Sequence, residues 1–382
     1  MKVVRVEAWH VVYPFRGFFK FLTGRGHHVL TVALTAEDGT VGWGQSPFPT
    51  RWSYESAEVA LVVVARHYGP AVLGCNPLEI DSINQKLDQV LAPGWTQGFP
   101  ITRAAIDIAL HDLAGKLLGQ PVWRLFGREA PGPVRLSWTV NVSSLEEAEA
   151  VVEEGRQRGY RNFNLKVAPD VRFDVELARL VRSMAPEGFL WADANGGYDL
   201  HSAKEACRRL AEVGVDVLEQ PLRPNMISGY RELRRLRALP ILMDEGIITA
   251  RDLLEVIRLE MVDGLAVKVP RSGGLSGARR QLELARDAGL LVLGSGLTDP
   301  EVSLAASLHL LGGYKIDFPA ALNGPQFLAA EVLAKPLPQE GDQAFVPTGP
   351  GLGVEVSREK LACLIALTEP PLATSHVVLD LQ

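Results

Sequence analysis

From about residue 164 to residue 268 the chain repeats one pattern: a short apolar run, flanked by turn residues, ends in a single ionisable side chain. The runs are Asn-Phe-Asn-Leu-Lys ending at Lys166, Phe-Leu-Trp-Ala-Asp at Asp193, Asp-Val-Leu-Glu at Glu219, Pro-Ile-Leu-Met-Asp at Asp244 and Gly-Leu-Ala-Val-Lys at Lys268. Successive end residues lie about 25 positions apart, the length of one strand, one helix and two short loops. Such runs fit strands buried on both faces, as a parallel sheet covered by helices requires. A charge inside one would be costly, but at its C-terminal end it opens onto the mouth of a barrel, where sites on this architecture lie. Three acids and two lysines are therefore predicted to converge.

The same reading places a strand at 134–140 before this series, another at 290–294 after it, and a short eighth element at 314–318. Helical patterns fill the intervals, the first over 145–158 with Ser143 or Ser144 as N-cap and Glu146 and Glu147 in its first turn. Others fall near 173–184, 202–213, 229–238, 250–259, 276–288 and 300–311. The predicted fold class is α/β, a (β/α)8-like barrel whose last units are the least regular. Upstream, strands are expected at 3–12 and 28–36, with a turn at Glu37-Asp38-Gly39-Thr40 before Val41-Gly42-Trp43-Gly44. Helices follow over 54–68, 76–90 with Pro77 in the first turn, and 101–118. Pro and Gly between 127 and 133 mark a boundary. The expected organisation is an α+β capping domain over 1–130, the barrel over 131–322, and a segment over 323–382 whose strand-like end returns to the cap.

Two loops have the character of ligand walls. Tyr13 to Gly26 carries Phe15, Arg16, Phe18, Phe19, Lys20, Phe21 and Arg25, too apolar for an idle loop and too irregular for a strand, and reads as a lid. Pro47 to Ser53 carries Arg51 and Trp52, with Tyr54 just beyond. Phe19, Arg25, Trp52 and Tyr54 are the candidate substrate contacts here. His27 and His28, beside a strand start, read first as structural residues and second as contacts.

With 382 residues and 47% hydrophobic content, the chain can bury a sizeable core and two domains. A net charge of -6 lacks the basic surface that nucleic-acid binding needs. Cys75, Cys207 and Cys363 are scattered in no CxxC spacing and read as buried thiols of a reducing compartment. No apolar run approaches membrane-spanning length and the first residues alternate like a strand, so a cytoplasmic protein is expected.

Asp193, Glu219 and Asp244 offer hard oxygen donors with no His or Cys beside them, a set suited to Mg²⁺. Any one of them alone would read as a solvated loop residue; three in phase on successive strands read as ligands. Lys166 and Lys268 come from opposite sides of that trio. A lysine near a divalent cation and a second ammonium is a candidate general base, the alternative being that the pair only neutralises the acids. Together the five groups suit a carboxylate substrate that loses its α-proton, the resulting enediolate being held electrostatically.

Residues 3 to 360 resemble the enolase superfamily, and most closely its muconate-lactonizing-enzyme-like branch. The motifs that carry the resemblance are Thr102 to Lys116, Asn164-Leu165-Lys166, Asp193-Ala194-Asn195, Glu219-Gln220-Pro221, Asp244-Glu245, and Lys268 through Arg271-Ser272-Gly273-Gly274-Leu275. The resemblance implies metal ligation by Asp193, Glu219 and Asp244 and acid/base roles for Lys166 and Lys268 on opposite faces of the substrate. It also implies a substrate-choosing cap and a homo-oligomer, commonly a dimer or octamer. The helix from Thr102 reads, on its own residues, as an amphipathic packing helix. Two positions depart from the family: Asn164 stands where most relatives have Lys, and Gly294-Ser295-Gly296-Leu297-Thr298-Asp299 stands where relatives place a Glu followed by Ser. Asn164, Asn195, Ser295, Thr298 and Asp299 are further candidate substrate contacts. The absence of His at this seventh-strand end, together with Lys268, argues against the glucarate-dehydratase-like branch.

Two lysines on opposite faces permit racemisation or epimerisation of an amino-acid-derived or hydroxy acid, the reading preferred here. Acid dehydration or cycloisomerisation would use the same pair. Outside this chemistry stand a phosphate-binding barrel built on Gly273-Gly274 and Gly294-Ser295-Gly296, and a non-catalytic binding protein on the same scaffold.

Overall fold

A computed structural model of the chain describes residues 1–17, 19, 26–49, 51–92, 94, 98–367 and 375–381. Three long strands, β1 (Val3–Tyr13), β2 (His27–Ala36) and β3 (Val41–Phe48), form an antiparallel meander. The helix expected from Tyr54 begins at Ala57 as α1 (Ala57–Val63), because the Ser56 side chain accepts from the Val59 N–H and sets the start there. It continues as a π-helical turn to Tyr68. After a short helical turn at Gly69–Val72, the helix expected over 76–90 starts late, as α2 (Ile80–Val90), and leaves Pro77 in the turn before it.

Helix α3 (Pro100–Leu118) carries the Thr102 to Lys116 motif and is not amphipathic: its residues are buried on nearly every side from Pro100 to Gly115. It lies against β3 so closely that a Cβ on Gly44 would meet the Ala105 carbonyl at 1.9 Å. Its buried acids are docking points. Asp107 accepts from Asn84 Nδ2 at 2.8 Å and from Ser276 Oγ at 2.5 Å, tying cap to barrel. Asp112 accepts from the Trp43 and Leu352 N–H groups, both at 2.8 Å.

The barrel strands are β4 (Ser137–Val140), β5 (Asn162–Lys166), β6 (Leu190–Asp193), β7 (Val217–Glu219), β8 (Ile241–Met243), β9 (Gly264–Lys268) and β10 (Leu291–Ser295). They pair in parallel in chain order. Capped helices fill the intervals: Ser144 accepts from Glu147 N, Asp170 from Arg172 and Phe173 N, and Thr249 with Asp252 forms a capping box. The eighth element does not fall at 314–318, where the chain turns out of α4 (Glu301–Gly313). It shrinks to Ala320 and Ala321, which bridge the two edge strands: Leu136 pairs with Ala320, and Ser295 with Ala321. Trp191, Val217, Leu242, Ala266, Leu293 and Ala321 fill the barrel interior as a separate apolar cluster.

Past residue 322 the chain bridges Phe15 at Leu328 and then pairs Gln343–Ala344 with Val134–Arg135, just ahead of the first barrel strand. Leu352 and Gly351 dock on the cap at Asp112 and Pro121, and β11 (His376–Asp380) joins the cap sheet itself, pairing antiparallel with β1 at its edge. Of the cysteines, Cys207 is buried as expected, but Cys75 is partly exposed and Cys363 exposed. Among the described residues no helix is long and apolar enough to cross a membrane.

Candidate active site

Strand pairing places the five ionisable end residues. Lys166 stands opposite Asp193, and Asp193 opposite Glu219. Glu219 pairs with Leu242, so Asp244 lies two residues further on and on the same side. Four of them stand above a member of the interior cluster, Asp193 above Trp191, Glu219 above Val217, Asp244 above Leu242 and Lys268 above Ala266, while Lys166 stands above Asn164. The apolar plug denies the charges water from below. Asp193, Glu219, Asp244 and Lys268 are at most 2% exposed.

Lys166 Nζ donates to Asp193 Oδ2 at 2.5 Å, and Lys268 Nζ to Asp244 Oδ2 at 2.6 Å. Arg271 donates to the other Asp244 oxygen at 2.6 Å. Burial pulls the Lys166 pKa down, but Asp193 and Glu219 outweigh it and hold the group above its ordinary value. Burial raises Asp244, yet Arg271 and Lys268 hold it below the usual carboxylate value.

Glu219 differs from both. Neither of its oxygens has a hydrogen-bond partner, and burial, then Asp193 and Asp244, push its pKa well above the ordinary value. A buried, unpartnered carboxylate between two others is expensive unless a cation meets it. The donor set, all carboxylate oxygen, fits a hard divalent ion such as Mg²⁺. The trio is not gathered to coordination spacing, its oxygens failing to lie all within 4.8 Å of one another. Asp193 is instead drawn to Lys166, and Asp244 to Lys268 and Arg271.

Aromatic rings stand over both lysines. Trp52 lies with its ring centre 3.9 Å from Lys268 Nζ and 4.5 Å from the Arg271 guanidinium carbon, and its indole N–H donates to Glu245 Oε1. Phe19 lies 5.9 Å from Lys166 Nζ and stacks on Phe327 at 4.6 Å. Tyr54 is 58% exposed and belongs to the rim. Arg25 lies outside the described residues. Asn195 braces the acids, donating from its backbone to Asp193 Oδ1 at 2.9 Å and from Nδ2 to Asp193 Oδ2 and Glu245 Oε1 at 3.0 and 3.1 Å.

Asn164 faces the barrel interior opposite Thr139 and Trp191, 1% exposed, with neither side-chain polar atom partnered. Ser295 pairs with Lys268 and is buried. Thr298 is buried with a positive φ of 63°. Asp299 accepts from the Leu297 N–H at 2.9 Å and from Ser307 at 3.4 Å. It borders a cavity of about 410 Å³ that Arg16, Glu301, Leu304 and Leu328 also line and that touches none of the five central groups. His27 is structural: its Nε2 meets the Leu297 carbonyl at 3.0 Å, and burial lowers its pKa to about 4.

Sequence reasoning gave Glu245 and Arg271 no role. Glu245 is buried among the acids, and burial, then Asp244, raise its pKa to about 7. Both stood inside motifs already noted, but strict alternation would send Glu245 to the far side of the strand from Asp244. The strand ends at Met243, so alternation no longer governs residue 245.

A parallel barrel with ionisable strand ends, covered by an antiparallel cap, defines a capped-barrel enzyme class. Residues 2–127 match the family described as mandelate racemase / muconate lactonizing enzyme, N-terminal domain, and residues 145–360 match enolase C-terminal domain-like. The chain belongs to the mandelate racemase/muconate lactonizing enzyme branch of the enolase superfamily and is an enzyme of that superfamily. It is 30% identical to muconate cycloisomerase 1 of Rhodococcus opacus over 94% of this chain and 97% of that one. It is 27% identical to the N-succinyl-L-Arg/Lys racemase of Bacillus cereus over the same shares, 94% and 97%. The crystal structure of N-succinyl Arg/Lys racemase from Bacillus cereus superposes with a TM-score of 0.89 at 25% identity, covering 100% of both chains. That of 2-chloromuconate cycloisomerase from Rhodococcus opacus 1CP gives 0.86 at 26% identity, covering 95% of this chain and 99% of that one.

Proposed function

We propose that this chain is a racemase or epimerase that moves the α-proton of a small amino-acid-derived or hydroxy acid between Lys166 and Lys268. The observation that carries the reading is the placement of two buried ammonium groups at the flanks of the acid trio, on β5 and β9, with β6, β7 and β8 between them. In one direction the free amine of Lys166 takes the proton, leaving an enediolate, and the Lys268 ammonium returns a proton to the opposite face. The roles reverse in the other direction, so atoms and charge balance over the cycle.

Asp193, Glu219 and Asp244 would hold Mg²⁺. When bound, the ion supplies positive charge that relieves the trio's mutual repulsion, loosens its hold on the lysine protons and favours negative charge on the substrate carboxylate. Asn164 presents a neutral amide where a charge would otherwise stand, and it suits a hydrogen bond to a substrate oxygen. Phe19 and Trp52 stand over the two lysines and shield them from water. The working form in this reading is a cytoplasmic homo-oligomer, a dimer or octamer, as the family resemblance implies.

Cycloisomerisation is the second reading, favoured by the 30% identity to a muconate cycloisomerase. One lysine would then handle the proton while the other steadies the enolate. Deuterium exchange separates the readings. In D₂O with Mg²⁺, a racemase incorporates deuterium at the α-carbon of both enantiomers and forms no new compound. A cycloisomerase converts a dienoic diacid to a lactone, with loss of the diene absorption. A screen of N-acyl amino acids, dipeptides and hydroxy acids showing no Mg²⁺-dependent exchange, alongside lactone formation from muconate, would overturn the racemase reading.

A further inference from the structure

In the cap, away from the barrel mouth, three side chains from three elements meet. His10 on β1 and His28 on β2 lie on one sheet face: period two puts His10 in line with Val6 and Ala8, and His28 with Leu30 and Val32. That face packs against α1, which contributes Ala57, Ala60 and Leu61 to the same cluster and brings Glu58 with it. One ligand atom from each of His10, His28 and Glu58 falls within 4.8 Å of the others. His10 Nε2 and His28 Nδ1 are 2.8 Å apart, their rings stacked at 5.0 Å, and His28 Nδ1 is 3.8 Å from Glu58 Oε1.

The burial suits ligation. His10 is 2% exposed, and burial, then His28, lower its pKa. The His28 and Glu58 side chains are 29% and 30% exposed, so one side of the cluster opens to water. Two nitrogens on one tetrahedral zinc stand about 3.3 Å apart, given Zn–N lengths of about 2.0–2.1 Å, so the rings need spread by only about half an ångström.

We propose that His10, His28 and Glu58 form a second, structural metal site that takes a borderline transition ion such as Zn²⁺, Co²⁺ or Ni²⁺, with the remaining position filled by water. Its donors set it apart from the barrel trio: two imidazoles and a carboxylate select such ions, whereas an all-carboxylate set selects Mg²⁺. Its place in the chain gives it a task. β1 and β2 flank the 14–26 segment that carries Phe19, and α1 follows the loop that carries Trp52. An ion joining β1, β2 and α1 clamps together the bases of both loops that reach the lysines.

The test uses the untagged full-length protein, stripped with chelator and titrated with Co²⁺ in saturating Mg²⁺. Four-coordinate Co²⁺ with nitrogen ligands absorbs strongly in the visible, whereas an all-oxygen octahedral site absorbs weakly. An intense band saturating at one equivalent, displaced by Zn²⁺, is expected for the wild type and for Asp193→Asn. Zn²⁺ should also raise the melting temperature of both by a few degrees. His28→Ala should lose the band and the shift while keeping the metal-free far-UV spectrum. Glu58→Ala, at a part-exposed helix position, should weaken Co²⁺ affinity at least tenfold. No intense band in the wild type, a band unchanged in both cap variants, or one lost in Asp193→Asn would overturn the proposal. None of these outcomes bears on the proton-transfer reading, which α-deuterium exchange tests separately.

Discussion

Replacing Glu219 by Gln should stabilise the metal-stripped protein while abolishing its response to Mg²⁺. Glu219 is 0% exposed, both its oxygens lack partners, and it stands between Asp193 and Asp244. A buried polar group left unsatisfied costs about 1–3 kcal/mol, and more when charged. Gln keeps the shape, removes the repulsion and brings an N–H₂ that can donate to either neighbouring acid. A gain of about 2 kcal/mol is expected, the isostere relieving part of the burden. An unfolding entropy of about 2.1 cal/mol/K per residue over 382 residues gives roughly 0.8 kcal/mol/K. The gain then appears as a rise in melting temperature of about 2–3 °C in chelator.

Mg²⁺ should raise the wild-type melting temperature with concentration, as ligand linkage requires, and leave Glu219→Gln unmoved. Differential scanning calorimetry of both proteins, with chelator and across a Mg²⁺ series, reads both effects. The sign with pH is also set. The folded pKa of Glu219 is raised, so its contribution to stability is present below the unfolded value and lost as pH rises through the folded one. The advantage of the variant should therefore grow with pH. A variant less stable in chelator, or one that keeps the Mg²⁺ response, would refute the argument.

Lys166→Ala and Lys268→Ala should each slow racemisation roughly 10²- to 10⁴-fold while sparing α-deuterium exchange of the one enantiomer whose proton faces the remaining lysine. NMR on each pure enantiomer decides this, and unchanged turnover in either variant would remove the two-base scheme. His27→Gln should flatten part of the acid instability. A pKa lowered to about 4 stabilises the fold above the unfolded value near 6.5 and loses that contribution as pH falls toward 4. The ceiling is about 3 kcal/mol, at 1.36 kcal/mol per pKa unit. Urea unfolding of both proteins from pH 7 to 4.5 measures it, parallel curves being the contrary result. Gly44→Ala should destabilise by about 3 kcal/mol or express poorly, since its Cβ meets the Ala105 carbonyl at 1.9 Å and α3 must back away. Chemical denaturation reads it, and a loss below 1 kcal/mol would show that α3 yields more easily than its packing implies.

The central site was legible because one rule governs it. Lys166, Asp193, Glu219 and Lys268 end strands in the structure, and Asp244 follows its strand by one residue. Buried parallel strands write that rule as uninterrupted apolar runs. Legibility faded where pairing replaces pattern. Two alanines closing the barrel carry no periodic signal, so the apolar pattern points instead to Tyr314 to Phe318, which is only the exit of a helix. Burial on nearly all sides of α3 erased the stripe that an amphipathic reading needs, and its acids serve as cap-to-barrel anchors that composition does not announce. In the loops, conformation decided. Trp52 reached Lys268, whereas Tyr54, two residues on, faces solvent.

The pairing of β11 with β1 sets a timetable for synthesis. On the ribosome, each barrel strand finds its partner in the strand just made, so the barrel can close as it emerges. β1 is translated before the barrel, yet one of its edges stays open to foreign strands until residues 376–380 arrive. The ring of charged strand ends is thus complete before the last strand of the cap sheet. A nascent chain stalled between the two would carry a sticky edge without a mate.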